Sequence, residues 1–488
     1  MKVCLVAEGC YPYVVGGVSG WINSMIKSFP NVEFILLAIV ADRSVRGKFV
    51  YDLPENLTQV YEVYLSDCEW EGNDRKRFRR RKPYRLSKEE YEEVENMVLN
   101  RKANWEVIFE LFHKKSLSID DFLMGSDFFH IARECYKRKY NNITFSDFLW
   151  TMRSIYLPMF WTLKTDLPKA DLYHCVATGY AGILGSMATY FHGSSMLISE
   201  HGIYTREREE ELIKAEWVKG IYKNIWIEQF QKMSLLAYER ADTVTCLFAR
   251  AKTLQIELGC PEEKIVVTPN GIQVDGFSDI AQKPEEEKNI VNLGAVLRVT
   301  PIKDVKTMIQ AFDFAKKKVP NIKLWIMGPT DEDKKYAQEC FDLVESLGTS
   351  DIEFTGRINV KDYLGRMDVT LLTSISEGQP LTILESYAAH RPVIATDVGN
   401  CRELIYGDND GLGDAGILTH IMNIEEIAQA MIQMAENKEL REQMGEAGYQ
   451  RVNKFYRIEH MKKVYKEIYQ KFSEKHGLEW TEEPFRLN

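Results

Sequence analysis

The stretch Met367-Asp-Val-Thr-Leu-Leu-Thr373, followed by Ser374-Ile-Ser-Glu377-Gly378-Gln379-Pro380-Leu381-Thr382-Ile-Leu-Glu385, reads as a buried parallel strand, a glycine turn and the start of a helix. Leu381, Leu384, Ala388 and Ala389 recur at helical spacing before Pro392, which predicts a helix over 381–390. The unpaired backbone N–H groups of its first turn favour an anion such as a phosphate. Glu377 lies in the turn. Glu385 lies about one turn into the helix, where side chains lean back toward the N-terminus, so both carboxylates can face one cavity. A carboxylate only accepts hydrogen bonds, so two of them beside a phosphate trap suit a ligand bearing hydroxyls as well as phosphates. A nucleoside diphosphate sugar is such a ligand. The plain alternative is a solvated glutamate and a helix start that binds nothing.

A second segment favours the ligand. Residues 289–293 read as a strand leading into Gly294, residues 295–304 as a loop, and residues 305–318 as the next helix. Arg298 and Lys303 are held in that loop. A guanidinium binds phosphate oxygens in a fork and an ammonium acts as a compact charge, so together they would neutralise a pyrophosphate leaving group. Alone, the pair would read as solvated surface cations.

With Arg298, Lys303, Glu377 and Glu385, the later run Arg391-Pro-Val-Ile-Ala-Thr-Asp397-Val-Gly399-Asn400 and Glu403 resemble the GT-B retaining glycosyltransferases of the family 4 type. More narrowly, the chain resembles the bacterial Pel-polysaccharide glycosyltransferases. That likeness rests on Ala7-Glu8-Gly-Cys-Tyr11 through Gly16-Gly17-Val18-Ser19-Gly-Trp21, on Ser199-Glu200-His201-Gly202-Ile-Tyr204-Thr-Arg206, on Thr268-Pro-Asn270-Gly271-Ile272 and on Gly328-Pro-Thr-Asp331-Glu-Asp333. The common family 4 pattern has Gly-Phe-Gly after the first glutamate, whereas Gln379 and Pro380 stand here. Pro380 has no N–H, so the phosphate contacts do not all carry over.

The resemblance implies an α/β, GT-B architecture: two Rossmann-like doubly wound domains facing across a cleft that holds the active site. It implies an N-terminal acceptor-side domain over 1–280, a C-terminal nucleotide-sugar domain over 281–455, and a crossover helix and tail over 456–488. It implies transfer of a hexose or N-acetylhexosamine from a UDP-sugar to a growing glycan with retained anomeric configuration, by front-face attack without a protein nucleophile. Arg298, Lys303, Glu377 and His201 would be catalytic. Gly16, Gly17, Arg357, Gly378, Leu381, Thr382 and Glu385 would bind the donor, with Glu385 on the ribose hydroxyls. No metal or other cofactor is expected, and the partners of a Pel-type enzyme would be inner-membrane proteins of a polysaccharide synthesis complex. A glycan phosphorylase, a UDP-sugar epimerase and a non-catalytic UDP-sugar-binding scaffold remain alternatives on the same fold.

Composition fits a large globular enzyme. The 488 residues are 45% hydrophobic, and a net charge of −10 argues against a general nucleic-acid binder. Nine cysteines without a Cys-x-x-Cys pair predict a reducing, cytoplasmic setting, with a peripheral place at the inner face of the plasma membrane for a Pel-type enzyme. Residues 1–7 read as a first strand, not a signal peptide, and no run reaches the ~18 apolar residues of a membrane span.

Strands are expected at 2–7, 33–40, 59–64, 172–175, 196–199, 243–246 and 265–267, then at 289–293, 323–327, 352–354, 369–372 and 393–395. Their alternation with helices argues for doubly wound parallel sheets. The polar segment 278–288 reads as a linker, and residues 453–475 as one amphipathic helix. Residues 66–163 break the alternation and read as an α-helical insertion. Its basic run Asp74-Arg-Lys-Arg-Phe-Arg-Arg-Arg-Lys82 is either a solvated loop or a site for an anionic polymer, a lipid surface or an acidic partner. His201 follows a strand, where open α/β sheets place ligands. Glu200 beside it is a weaker candidate. Asp331-Glu-Asp333 could be mistaken for a metal motif, but a loop or helix cap fits it better.

Overall fold

Short apolar runs, buried on both faces, become two all-parallel sheets in the computed structural model, which describes residues 1–68, 84–215, 217–218 and 220–485. The basic run 74–82 lies outside the described residues. In the first sheet β1 (Lys2–Glu8), β2 (Glu33–Val40), β3 (Leu57–Tyr64), β4 (Leu172–Cys175), β5 (Ser195–Ser199), β6 (Thr243–Cys246) and β7 (Ile265–Val267) run in the order β3-β2-β1-β4-β5-β6-β7. In the second, β8 (Val291–Val296), β9 (Ile322–Met327), β10 (Ile352–Gly356), β11 (Val369–Leu372), β12 (Val393–Thr396) and β13 (Gly416–Thr419) run in the order β10-β9-β8-β11-β12-β13. Both orders reverse direction at one place, between β1 and β4 and between β8 and β11. Ligands of open α/β sheets bind at the carboxyl ends of the strands that flank such a reversal.

The chain divides into two compact units. The first comprises 1–246, 252–267 and 466–488, and the second 247–251 and 268–465. The long helix Ile458–Lys475 is shared between them, its part from residue 466 counting with the first unit.

In the first unit the insertion is helical. Lys88–Val98, Trp105–Phe109, Ile119–Leu123, Ser126–Lys139 and Phe145–Thr162 pack around an aromatic core in which Phe112 stacks on Phe160 with ring centres 4.0 Å apart. In the second unit the sheet is covered on both sides. Val305–Lys318 and Ile424–Glu436 bury Ile309, Phe312 and Met431 against Leu293 and Ile326, all at zero exposure. On the other side Leu381–Ala388, Cys401–Tyr406 and Lys438–Phe455 bury Leu384, Tyr387, Leu404 and Val452. Burying both faces is what permits strands with near-continuous apolar runs.

Three sequence readings need correction. β8 runs to Val296, so the loop bearing Arg298 begins later than residue 295. β13 was missed: its four residues, Gly-Ile-Leu-Thr, offer too short an apolar run to register. The expected helix 453–475 is two helices that meet at Tyr456-Arg457, where the backbone of Ile272 pairs with Arg457 and takes the hydrogen bonds the helix would have used. The apolar periodicity runs through this break and so hid it. No helix among the described residues is long and apolar enough to cross a membrane.

Candidate active site

The carboxyl ends of β8 and β11 carry the residues singled out in the second unit. Beyond β8 the chain passes through a tight turn, Pro301–Lys303, and Asp304 enters the helix Val305–Lys318 at φ +46°. Beyond β11 the buried Thr373 and Ser374 lead to Glu377. The two segments are stitched together. The Thr373 hydroxyl donates to the carbonyls of Lys303 (2.9 Å) and Asp304 (3.2 Å), and the Ile375 N–H donates to the Ile302 carbonyl at 2.8 Å.

This stitching sets Lys303 opposite Glu377. The Lys303 ammonium donates to Glu377 Oε1, and Ser374 Oγ donates to the same oxygen at 2.5 Å. The two side chains are 17% and 12% exposed, so the pair is largely shielded yet still reaches solvent. From behind, Thr396 Oγ1 at the end of β12 donates to the Ser374 carbonyl at 2.6 Å. The Asn400 N–H donates to the Gly378 carbonyl at 2.9 Å. Gly399 has φ +52°, and a Cβ there would lie 2.2 Å from the Glu377 carbonyl oxygen, so this position requires glycine twice over.

Gln379, standing where the common pattern has phenylalanine, acts as a clamp. Its Oε1 accepts from the Asn270 N–H at 2.7 Å, and its Nε2 donates to the Asn270 carbonyl at 3.4 Å. After it, the helix Leu381–Ala388 begins at Pro380 with no side-chain cap, and Leu381 and Thr382 are half-buried in its first turn. Glu385 is also half-buried, and burial holds its carboxyl up to about 7, with Lys361 pulling the other way.

The arginines are engaged elsewhere. Arg298 pairs with Glu332 at 2.5 Å and Arg357 with Asp331 at 3.4 Å, both at exposed positions. Asp333 caps the helix Lys334–Leu347, its carboxylate accepting from the Tyr336 N–H at 3.0 Å. The acidic triplet 331–333 is thus spent on two arginines and a helix cap.

In the first unit Gly16 and Gly17 open the helix Gly17–Ser28. Neither has a positive φ, and a Cβ at either would meet no atom within 4 Å, so the fold itself does not demand glycine there. His201 follows β5. Its ring packs edge-on to Trp21 at 4.4 Å between centres, burial pushes its pKa down to about 4, and its buried Nε2 has no hydrogen-bond partner. At neutral pH it is an uncharged imidazole with one free nitrogen. Glu200 is buried and fully used: it accepts from Tyr238 Oη (2.5 Å), Gln255 Nε2 (2.8 Å) and Thr178 Oγ1 (3.3 Å). Its role is to hold the end of β5. Sequence reading missed the Tyr204 hydroxyl, which donates to Glu8 at 2.9 Å and links the ends of β5 and β1. Both residues lay inside the quoted motifs, but nothing in the sequence says that they meet.

Residues 1–263, more than half of the chain, match the family described as "Domain of unknown function (DUF3492)". The chain belongs to the DUF3492 family. Residues 276–451 of this DUF3492 chain match "Glycosyl transferases group 1", so the β8/β11 site lies in a glycosyltransferase group 1 domain and the protein is a glycosyltransferase. Relatives include the UDP-Gal:alpha-D-GlcNAc-diphosphoundecaprenol alpha-1,3-galactosyltransferase of Escherichia coli. It is 26% identical over 56% of this chain and 68% of its own length. The amylovoran biosynthesis glycosyltransferase AmsK of Erwinia amylovora is 27% identical over 34% of this chain and 43% of its own. The solved structure of Anabaena Alr3699/HepE in complex with UDP has a TM-score of 0.60 at 13% identity, covering 96% of this DUF3492 chain and 100% of that one. The same protein with UDP-glucose gives 0.58 at 14%. At that identity the likeness is one of fold, two Rossmann-like units of GT-B type.

Proposed function

We propose that the protein is a retaining glycosyltransferase of the family 4 type that moves a hexose or N-acetylhexosamine from a UDP-sugar to a growing glycan in exopolysaccharide synthesis of the Pel type. The observation that carries this reading is the Lys303–Glu377 pair at the β8/β11 reversal, beside an uncapped helix start. The names of the relatives support it, since they mention UDP, UDP-glucose, UDP-Gal and amylovoran biosynthesis.

In this reading the diphosphate lies at the N-terminus of Leu381–Ala388, near Gly378, Leu381 and Thr382. Lys303, joined by Arg298 and Arg357, meets its charge, and Glu377 accepts from a sugar hydroxyl. The bond from the anomeric carbon to the diphosphate oxygen breaks with its electron pair on the diphosphate. The acceptor hydroxyl oxygen takes its place on the same face, and its proton passes to the departing UDP. Lys303 is worth more as that charge develops than before it. Gly16 and Gly17 are assigned to donor binding, and His201 to orienting a hydroxyl through its free Nε2.

A nucleotide-sugar panel with and without glycan acceptor tests the reading. UDP release that requires both is the expected result. Interconversion of the UDP-sugar without acceptor would make the protein an epimerase, sugar phosphate formed from glycan and phosphate a phosphorylase, and donor binding without turnover a scaffold.

Two further outcomes are expected. Turnover persists in EDTA, because Lys303, Arg298 and Arg357 supply the positive charge that a metal would bring to the diphosphate and Asp333 is spent on a helix cap; a strict need for Mg²⁺ or Mn²⁺ would return Asp331 and Asp333 to the site. Glu385 gives a pH signature. Below about pH 7 its carboxyl is protonated in the free protein. Ribose hydroxyls that donate to it favour the ionised form, so UDP binding releases a proton and tightens as pH rises from 6 to 8. Calorimetry in buffers of different ionisation enthalpy reads that proton, and Glu385→Gln abolishes it. A UDP affinity flat across this range would remove Glu385 from the ribose.

A further inference from the structure

A cavity of about 250 Å³ lies in the first unit between the helical insertion and the helix Tyr222–Arg240, and none of the candidate site residues lines it. That is room for several waters at ~30 Å³ each, and it falls below the roughly 300–1,000 Å³ of drug-sized pockets, so it suits one small ligand.

Its chemistry is cationic and hydroxyl-seeking. Lys232 sits in the wall, donating to Tyr156 Oη at 2.8 Å and to Gln229 Oε1 at 3.3 Å. An ammonium has three donors, and these neutral partners use two of them. Among the described residues no carboxylate forms an ion pair with Lys232, and burial pulls its pKa down to about 7, outweighing the opposite pull of Cys135 and Glu228. Arg101 and Arg138 also line the cavity, and among the described residues neither is in an ion pair. Lys139 is neutralised by Glu228 at 2.5 Å. Two arginines and a lysine poised to take up a proton thus surround a small space, a better match for a dianion than for a monoanion. Opposite them Glu228 accepts from Tyr140 Oη (2.9 Å) and Asn100 Nδ2 (2.8 Å). With Gln229, these carboxylate, amide and phenol groups offer donors and acceptors to hydroxyls.

We propose that this cavity is a binding site for a hexose monophosphate, separate from the donor site, with Lys232, Arg101 and Arg138 on the phosphate and Glu228, Asn100 and Gln229 on the sugar hydroxyls. The helix that carries Lys232 also carries Tyr238, which holds Glu200 next to His201, so the ligand sits on an element that supports the end of β5. The site does not depend on the reading of the donor site.

Calorimetry on the full chain with glucose 6-phosphate, in saturating UDP so that a nucleotide site is not the one titrated, tests the proposal. Expected is saturable binding, weakened tenfold or more in both Lys232→Met and Arg138→Ala, with inorganic phosphate and glucose each binding at least tenfold more weakly than glucose 6-phosphate. Arg138 is on the surface, so its variant keeps the test sharp even if Lys232→Met folds poorly. No heat with glucose 6-phosphate, undiminished binding in Arg138→Ala, or equal affinity for inorganic phosphate would overturn it.

Discussion

Replacing Lys303 by alanine is expected to lower turnover by about 10²-fold or more while the protein still melts cooperatively. Losing one preorganised stabiliser of developing charge costs on that scale when the group sits in a site shielded from water. The Lys303 side chain is only 17% exposed and aligned by the turn Pro301–Lys303, itself bonded to Thr373 and Ile375, so its ammonium is held before any ligand arrives. Alanine would also leave the Glu377 carboxylate without its counter-charge beside the diphosphate, which adds repulsion. Arg298→Ala should cost less, because Arg298 is half exposed and must leave Glu332 to reach a phosphate. Glu377→Gln separates the roles further. It should lower kcat with little loss of UDP affinity, since a hydroxyl contact near the anomeric carbon matters most as the bond breaks. Steady-state UDP release, calorimetric UDP affinity and a melting curve decide all three. Near-wild-type turnover in Lys303→Ala would end the assignment of the β8/β11 site to the leaving group.

The largest effect on stability is expected at Arg451. Its side chain is 1% exposed and makes five hydrogen bonds: to both Asp410 oxygens (2.6 and 3.0 Å) and to the carbonyls of Leu404 (3.1 Å), Ile405 (2.8 Å) and Gly413 (2.6 Å). These close the loop that follows Cys401–Tyr406 onto the helix Lys438–Phe455. Arg451→Ala removes one member of a buried ion pair and strands the other, a change that costs about 3–5 kcal/mol. Three carbonyls lose their donor as well. Denaturant unfolding of the second unit reads the loss, and a change below 1 kcal/mol would show that the network is incidental. Asp410 supplies the pH dependence. Arg451 holds its carboxyl below the usual range, so the pair's contribution is complete above about pH 4, the ordinary Asp value, and is lost as the pH falls through the lowered one. Arg451→Ala should therefore flatten the acid limb of the stability curve.

Most strands were legible because a strand buried on both faces is a near-continuous apolar run, as in Glu33–Val40 after its first residue and in Val369–Leu372 apart from Thr370. β13 was not, since two aliphatic residues between a glycine and a threonine carry no pattern. The motif around Glu377 could be read as a strand, turn and helix start, but its tertiary partners could not. Lys303 meets Glu377 from 74 residues away, and the carboxylates that hold Arg298 and Arg357 lie in a triplet whose spacing suggests a metal. Gln379 looked like a defect in a familiar pattern and is a clamp on Asn270. Arg451 left no trace, because a lone arginine on a largely polar helix resembles any solvated one until the loop that folds over it is known.

The backbone contact that splits the last two helices also joins the points where the chain enters and leaves most of the second unit. The Ile272 N–H donates to the Tyr456 carbonyl and the Ile458 N–H to the Ile272 carbonyl, each at 2.9 Å. A Cβ on Gly271 would lie 2.5 Å from the Arg457 carbonyl oxygen, so the two strands of chain touch at glycine distance. Residues 272–456 are thereby a cassette with its own clasp: its termini are adjacent, so tying them together by a short peptide adds little closure entropy. Circular permutation or grafting at this seam would leave the fold's wiring undisturbed.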